Sequence, residues 1–133
     1  TLSSKKIVLK SENIAIDEIF KKVTTIIPEL DSDIIKIVGS RSHLNDDTKN
    51  FIHNLEKNNK VEIVSRGSSL KFCLVAEGLA HIYPRFAPTM EWDTAAGDAI
   101  CRAVGLKVID QSTGKPLAYN KENLLNNYFL VKC

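Results

Sequence analysis

The spacing of apolar residues changes repeatedly along this chain, from every second position to every third or fourth and back, so no fold built from one kind of element accommodates it. Lys6 to Lys10 reads as a short β-branched strand, and Ile16, Ile19, Phe20 and Val23 fall at helical spacing within Ile14 to Ile27, a segment that Pro28 closes. Ile34 to Val38 reads as a buried strand, followed by the small polar loop Gly39 to His43 and a helix from about Asn45 to Glu56 with Phe51, Ile52 and Leu55 on its apolar stripe. Lys60 to Ser65 is strand-like, Gly67, Ser68 and Ser69 form a turn, and Leu70 to Ala76 is apolar nearly all round, which predicts a helix buried between layers and ended by Gly78. Leu79 to Tyr83 is predicted as a brief strand stopped by Pro84, and Trp92 to Val104 as an alanine-rich helix ended by Gly105. Leu106 to Asp110 and Tyr128 to Lys132 supply two more strands, separated by a turn at Thr113 to Pro116. This alternation predicts an α/β fold, a mixed sheet covered by helices with some parallel pairing.

No repeat or low-complexity tract divides the 133 residues, so a single domain is expected. The longest apolar runs, such as Phe72 to Ala76, fall far short of the roughly 20 residues of a spanning helix, so membrane association is expected to be absent or peripheral. Eighteen basic against sixteen acidic residues leave a net charge of +2, too little to hold a nucleic-acid polymer; any anion must be bound by local placement. Three cysteines, Cys73, Cys101 and Cys133, contain no C-x-x-C pair and fit a reducing cytoplasm better than a disulfide framework or a zinc site. The chain opens at Thr1 without the charged-then-apolar order of a secretory signal, and a processed chain or fragment is expected.

Three clusters bear chemistry. Ser65-Arg66-Gly67-Ser68-Ser69-Leu70-Lys71 places hydroxyls and a lysine where a strand gives way to a helix, a location suited to a phosphate. Two readings stay open there: an anion held by Ser68 and Lys71, or a Ser68 that only caps the helix beside a solvated Lys71. His43 follows a strand at its carboxyl edge, where open α/β sheets place ligands, yet polar residues of such loops also serve as surface or helix-start groups. Arg85 suits either a bidentate phosphate contact or a surface ion pair. In Glu91-Trp92-Asp93-Thr94-Ala95-Ala96-Gly97-Asp98, Asp93 opens a helix whose next turn is stripped to small residues, so that another backbone or a ligand can approach, although Asp93 is also a favoured cap. His53 and His81 join no constellation and are read as structural.

The motif Trp92-Asp93-Thr94-Ala95-Ala96-Gly97 resembles the second signature of the inositol monophosphatase superfamily of magnesium-dependent phosphatases. Ser40-Arg41-Ser42-His43, the run from Gly67 to Gly78 and Tyr83-Pro84-Arg85-Phe86 are similar, within that superfamily, to the CysQ-type 3'(2'),5'-bisphosphate nucleotidases. The resemblance runs from about Ile37 to the C-terminus, and Thr1 to about Leu30 lies outside it. It implies the C-terminal half of a layered α-β-α-β-α sandwich, with Asp93 ligating Mg²⁺. Ser68, Lys71 and Arg85 would hold the retained phosphate and ribose, and His43 would approach the nucleotide from the next loop. In the family a metal-activated water attacks phosphorus and no protein nucleophile is needed.

One departure shapes the reading. The family's Asp-Pro-x-Asp-Gly-Thr signature and upstream metal-binding glutamate are missing, and the pairs Asp31 with Asp33 and Asp46 with Asp47 lack that context. A lone carboxylate holds Mg²⁺ weakly, so the resemblance implies a substrate-binding half whose partner half carries most metal ligands. The implied activity is removal of the 3'-phosphate of adenosine 3',5'-bisphosphate. The alternatives are an inositol or sugar phosphate phosphatase of the same superfamily and a non-catalytic nucleotide-binding module.

Overall fold

Two β-α-β crossovers running in opposite directions organise the molecule. The computed structural model describes residues 3–8, 15–28, 33–39 and 44–133. From β3 (Ile34–Gly39) the chain passes through α2 (Asp46–Glu56) to β4 (Lys60–Ser65), and then through α3 (Leu70–Ala76) to β5 (Ile82–Arg85). β3 pairs in parallel with both β4 and β5, so the strand order doubles back across β3. Right-handed crossovers in opposite senses must put their helices on opposite faces. Alternate residues of the strands show that they do. Ile37 and Ile82 pack with Ile52 of α2, whereas Val38 and Tyr83 pack with Phe72 and Val75 of α3 on the other face. The sheet, in the order β4-β3-β5-β9-β7, is completed by β9 (Phe129–Lys132) and β7 (Lys107–Asp110), both antiparallel to their neighbours. It is the mixed sheet with helices on both faces that the apolar periodicity predicts. α4 (Glu91–Ala103) lies beside α3, and its Cys101 belongs to the same core as Val108, Phe129 and Val131.

The N-terminal segment departs from the predicted helix. Only α1 (Ile16–Lys22) is helical, and β2 (Thr24–Thr25) follows, paired with β1 (Lys5–Lys6). Val23 to Ile27 are five consecutive β-branched residues whose stiff χ1 favours extended backbone once a partner strand is present. The strand predicted to stop before Pro84 instead runs through it to Arg85. The Cys133 N–H donates to the His81 carbonyl, which puts the hydrogen-bonded positions of this antiparallel ladder at odd-numbered residues of β5. Pro84 therefore turns its nitrogen toward β3, with which β5 is in register at Ile82 alone, and no ladder bond is lost. A small ribbon of β6 (Thr89–Met90) with β8 (Leu125–Asn126) escaped the sequence pattern, being too short for any periodicity. His81 is structural as expected: its Nδ1 accepts the Lys36 N–H at 3.0 Å. Among the described residues no helix is long and apolar enough to cross a membrane.

Candidate active site

The carboxyl ends of β4 and β5 flank the point where the strand order doubles back, and there the fold opens a cleft of about 390 Å³. Its floor is aromatic. Phe72 of α3, Tyr83 of β5 and Phe129 of β9 lie with ring centroids 5.1 to 5.7 Å apart, Phe72 and Phe129 stacked and Tyr83 edge-on to both. Polar side chains from three elements stand around this floor. Ser68 and Lys71 come from the start of α3, Arg85 from the end of β5, and Asp93 from the first turn of α4.

Lys71 is largely withdrawn from solvent. Its side chain is 8% exposed, its Nζ lies 5.5 Å from the centre of the Tyr83 ring, and it donates to the Ser68 carbonyl at 3.3 Å. Burial, and then the neighbouring charge of Arg85, lower its pKa from the ordinary lysine value. Burial likewise raises the Tyr83 phenol, which therefore stays neutral beside the two cations. Ser68 does not cap α3: Ser69 stands at the cap without a side-chain bond, and Ser68 holds a left-handed backbone, φ 54°. A non-glycine residue in that conformation is strained, a feature that collects at binding sites.

Arg85 donates from Nη2 to the Pro88 carbonyl at 3.2 Å, while its buried Nε has no hydrogen-bond partner among the described residues. Neither cation forms an ion pair with a described carboxylate. Lys71 and Arg85 thus line one cleft, with the Arg85 Nε still free to donate. Asp93 is the third residue of α4 rather than its cap, and one carboxylate oxygen accepts the Met90 N–H at 2.8 Å. His43, with Ser40 to Ser42, lies outside the described residues.

No group of three or more His, Cys, Asp or Glu side chains among the described residues is placed to hold a metal ion. Asp46 is engaged with Lys49 at 3.0 Å, and Asp93 has one oxygen already committed. The described residues do not make an Mg²⁺ site by themselves, since that ion demands a near-octahedral shell of oxygens. Thr89 and Thr94 also line the cleft; sequence reasoning passed over both. Thr94 was visible as part of an unusual motif, but nothing in the sequence singled out Thr89.

The sequence pattern of the Inositol monophosphatase family matches residues 18–128, most of the chain. The chain belongs to the inositol monophosphatase family. Within that family it is 50% identical over 96 residues to the 3'(2'),5'-bisphosphate nucleotidase CysQ of Escherichia coli (strain K12), which takes in 71% of this chain and 37% of that protein. It is 55% identical over 84 residues to the CysQ of Buchnera aphidicola, covering 63% of this chain and 30% of that one. The solved CysQ from Bacteroides thetaiotaomicron superposes with a TM-score of 0.79 at 49% identity, over 94% of this chain and 46% of that one. An inositol monophosphatase from Staphylococcus aureus, at 19% identity and TM-score 0.60 over 82% of this chain and 40% of that one, shares the fold. This inositol monophosphatase family member thus spans less than half the length of these relatives.

Proposed function

We propose that the protein to which this chain belongs removes the 3'-phosphate of adenosine 3',5'-bisphosphate, giving AMP and phosphate, and that this chain is its C-terminal, substrate-gripping domain. The observation that carries the reading is the Lys71–Arg85 pair, two cations without carboxylate partners among the described residues, in one cleft with Asp93. A substrate with a second, non-reacting phosphate matches that pair, which an inositol monophosphate, lacking one, would leave unused. Lys71 and Arg85 hold the retained phosphate and Ser68 its ribose, with His43 approaching from the loop after β3. The aromatic floor keeps water from beneath them. Hydrolysis breaks the bond between phosphorus and the ribose O3', water supplying oxygen to the phosphate and a proton to O3'. A divalent ion, Mg²⁺ in this reading, supplies Lewis acidity when bound. Asp93 would be one of its ligands, and carboxylates of the remaining half would complete the shell across the seam. The free thiols Cys73, Cys101 and Cys133 suit a reducing cytoplasm.

In the complete enzyme, Lys71→Ala is expected to raise KM for the bisphosphate about tenfold or more, and Asp93→Asn to lower kcat with little change in KM. This chain alone is expected to release no phosphate in the presence of Mg²⁺. Equal, small effects of both substitutions, or brisk Mg²⁺-dependent turnover by this chain alone, would overturn the reading.

A further inference from the structure

Between β7 and β9 the chain makes an excursion, residues 118–126, that returns along the start of α4. The Glu91 N–H donates to the Leu124 carbonyl at 3.0 Å. Its carboxylate accepts the backbone N–H groups of Asn120 and Lys121 at 2.7 and 3.1 Å, and the Lys121 ammonium as well. Asn120 stands at φ 62°, a left-handed conformation that asparagine tolerates and most residues do not. On the other side of the ribbon, the amide of buried Asn126 lies 3.3, 2.9 and 3.1 Å from Thr89 Oγ1, the Met90 carbonyl and Thr94 Oγ1. Thr94 Oγ1 also bonds to the Glu91 carbonyl and to the Tyr119 hydroxyl. A buried network of this kind holds all its members together or leaves several unsatisfied at once.

The groups tied in this way carry one wall of the cleft. Thr89, Trp92, Asp93 and Thr94 line it; Glu91 and Asn126 do not. Asp93 already satisfies the N–H of Met90, so ordinary capping does not account for the additional clamp. By contrast, Lys71 and Arg85 are held from α3 and β5, elements with no share in these bonds.

We propose that Glu91 and Asn126 are positioning residues, which hold the first turn of α4, and Asp93 with it, against the cleft through the 118–126 excursion. Their effect on turnover rests on the bisphosphatase reading; their effect on the turn does not. Trp92, the sole tryptophan of the chain, sits in that turn at 66% exposure and reports its order without reference to catalysis.

The test measures Trp92 fluorescence anisotropy and acrylamide quenching in this chain, and kcat and KM in the complete enzyme, for Glu91→Ala, Glu91→Gln and Asn126→Ala. Glu91→Ala and Asn126→Ala are expected to loosen Trp92 well below the melting temperature with helix content unchanged. In the enzyme they should lower kcat about tenfold and leave KM within about twofold. Glu91→Gln, which keeps a carbonyl to receive the excursion's N–H groups, is expected to restore most of both. Should Asn126→Ala fail to fold, the two Glu91 variants decide. An unchanged Trp92 in Glu91→Ala overturns the proposal, as does a raised KM at constant kcat. If the wild-type enzyme does not hydrolyse the bisphosphate and Trp92 still loosens, the clamp stands and the substrate reading falls.

Discussion

Lys71 is a buried cation whose burial costs the fold stability. Its lowered pKa means that folding favours the neutral amine, so the protonated side chain weakens the molecule at neutral pH. Lys71→Met keeps most of the stem and removes the charge. It is expected to raise stability by roughly 1 kcal/mol and to abolish the added stability that phosphate confers on the parent chain. Thermal melts with and without phosphate measure both. The gap between the two proteins should narrow as pH climbs toward the ordinary lysine value, where the parent side chain loses its proton within the fold. A variant that melts no higher and still responds to phosphate would sink this account of Lys71. In the sequence Ser68 and Lys71 were seen to share a turn, but solvated and gripping lysines looked alike. What no local pattern shows is Tyr83, twelve positions away on β5, which supplies the ring beside which Lys71 is buried.

Among the elements, the contact of α3 with α4 explains the run of small residues after Asp93. A Cβ at Gly97 would lie 2.4 Å from the Phe72 ring, so it is the neighbouring helix that requires the glycine, while Ala95 and Ala96 stay exposed. Gly97→Ala is expected to cost about 2 kcal/mol in urea denaturation, partly recovered by Phe72→Leu in the same chain. No recovery would mean that helix propensity or some other contact sets the penalty. The sequence showed that something approaches closely at Gly97 and left open whether it is a ligand or protein. It also marked the bounds of α2 well, where Asn45 Oδ1 accepts the Thr48 N–H at 3.0 Å, a purely local bond. It failed at Pro84 and at β2, where the outcome depends on which strand lies alongside.

At the scale of the whole molecule, the N-terminal segment leaves large apolar groups uncovered. Ile16 and Phe20 lie one turn apart on α1, 69% and 68% exposed, and Val8 and Ile27 are exposed as well. If this chain is one domain of a longer protein, as proposed, this surface is expected to meet the remainder. Replacing Ile16 and Phe20 together by serine is then expected to change the stability of this chain by less than about 0.5 kcal/mol, and to cost the complete protein about 2 kcal/mol or more. Denaturant titrations of both forms check it, and equal effects in the two would count against the seam. The identity of most elements was legible along the sequence because backbone sterics, capping and the burial of one face act over a few residues. The gathering of Ser68, Lys71, Arg85 and Asp93 around one cleft was implied by the family resemblance but by no local pattern, because it depends on the order β4-β3-β5 and on an excursion from β7 to β9 that ties down α4. Those pairings are contacts between residues far apart in the chain, selected by how whole faces pack, and only the folded molecule decides them.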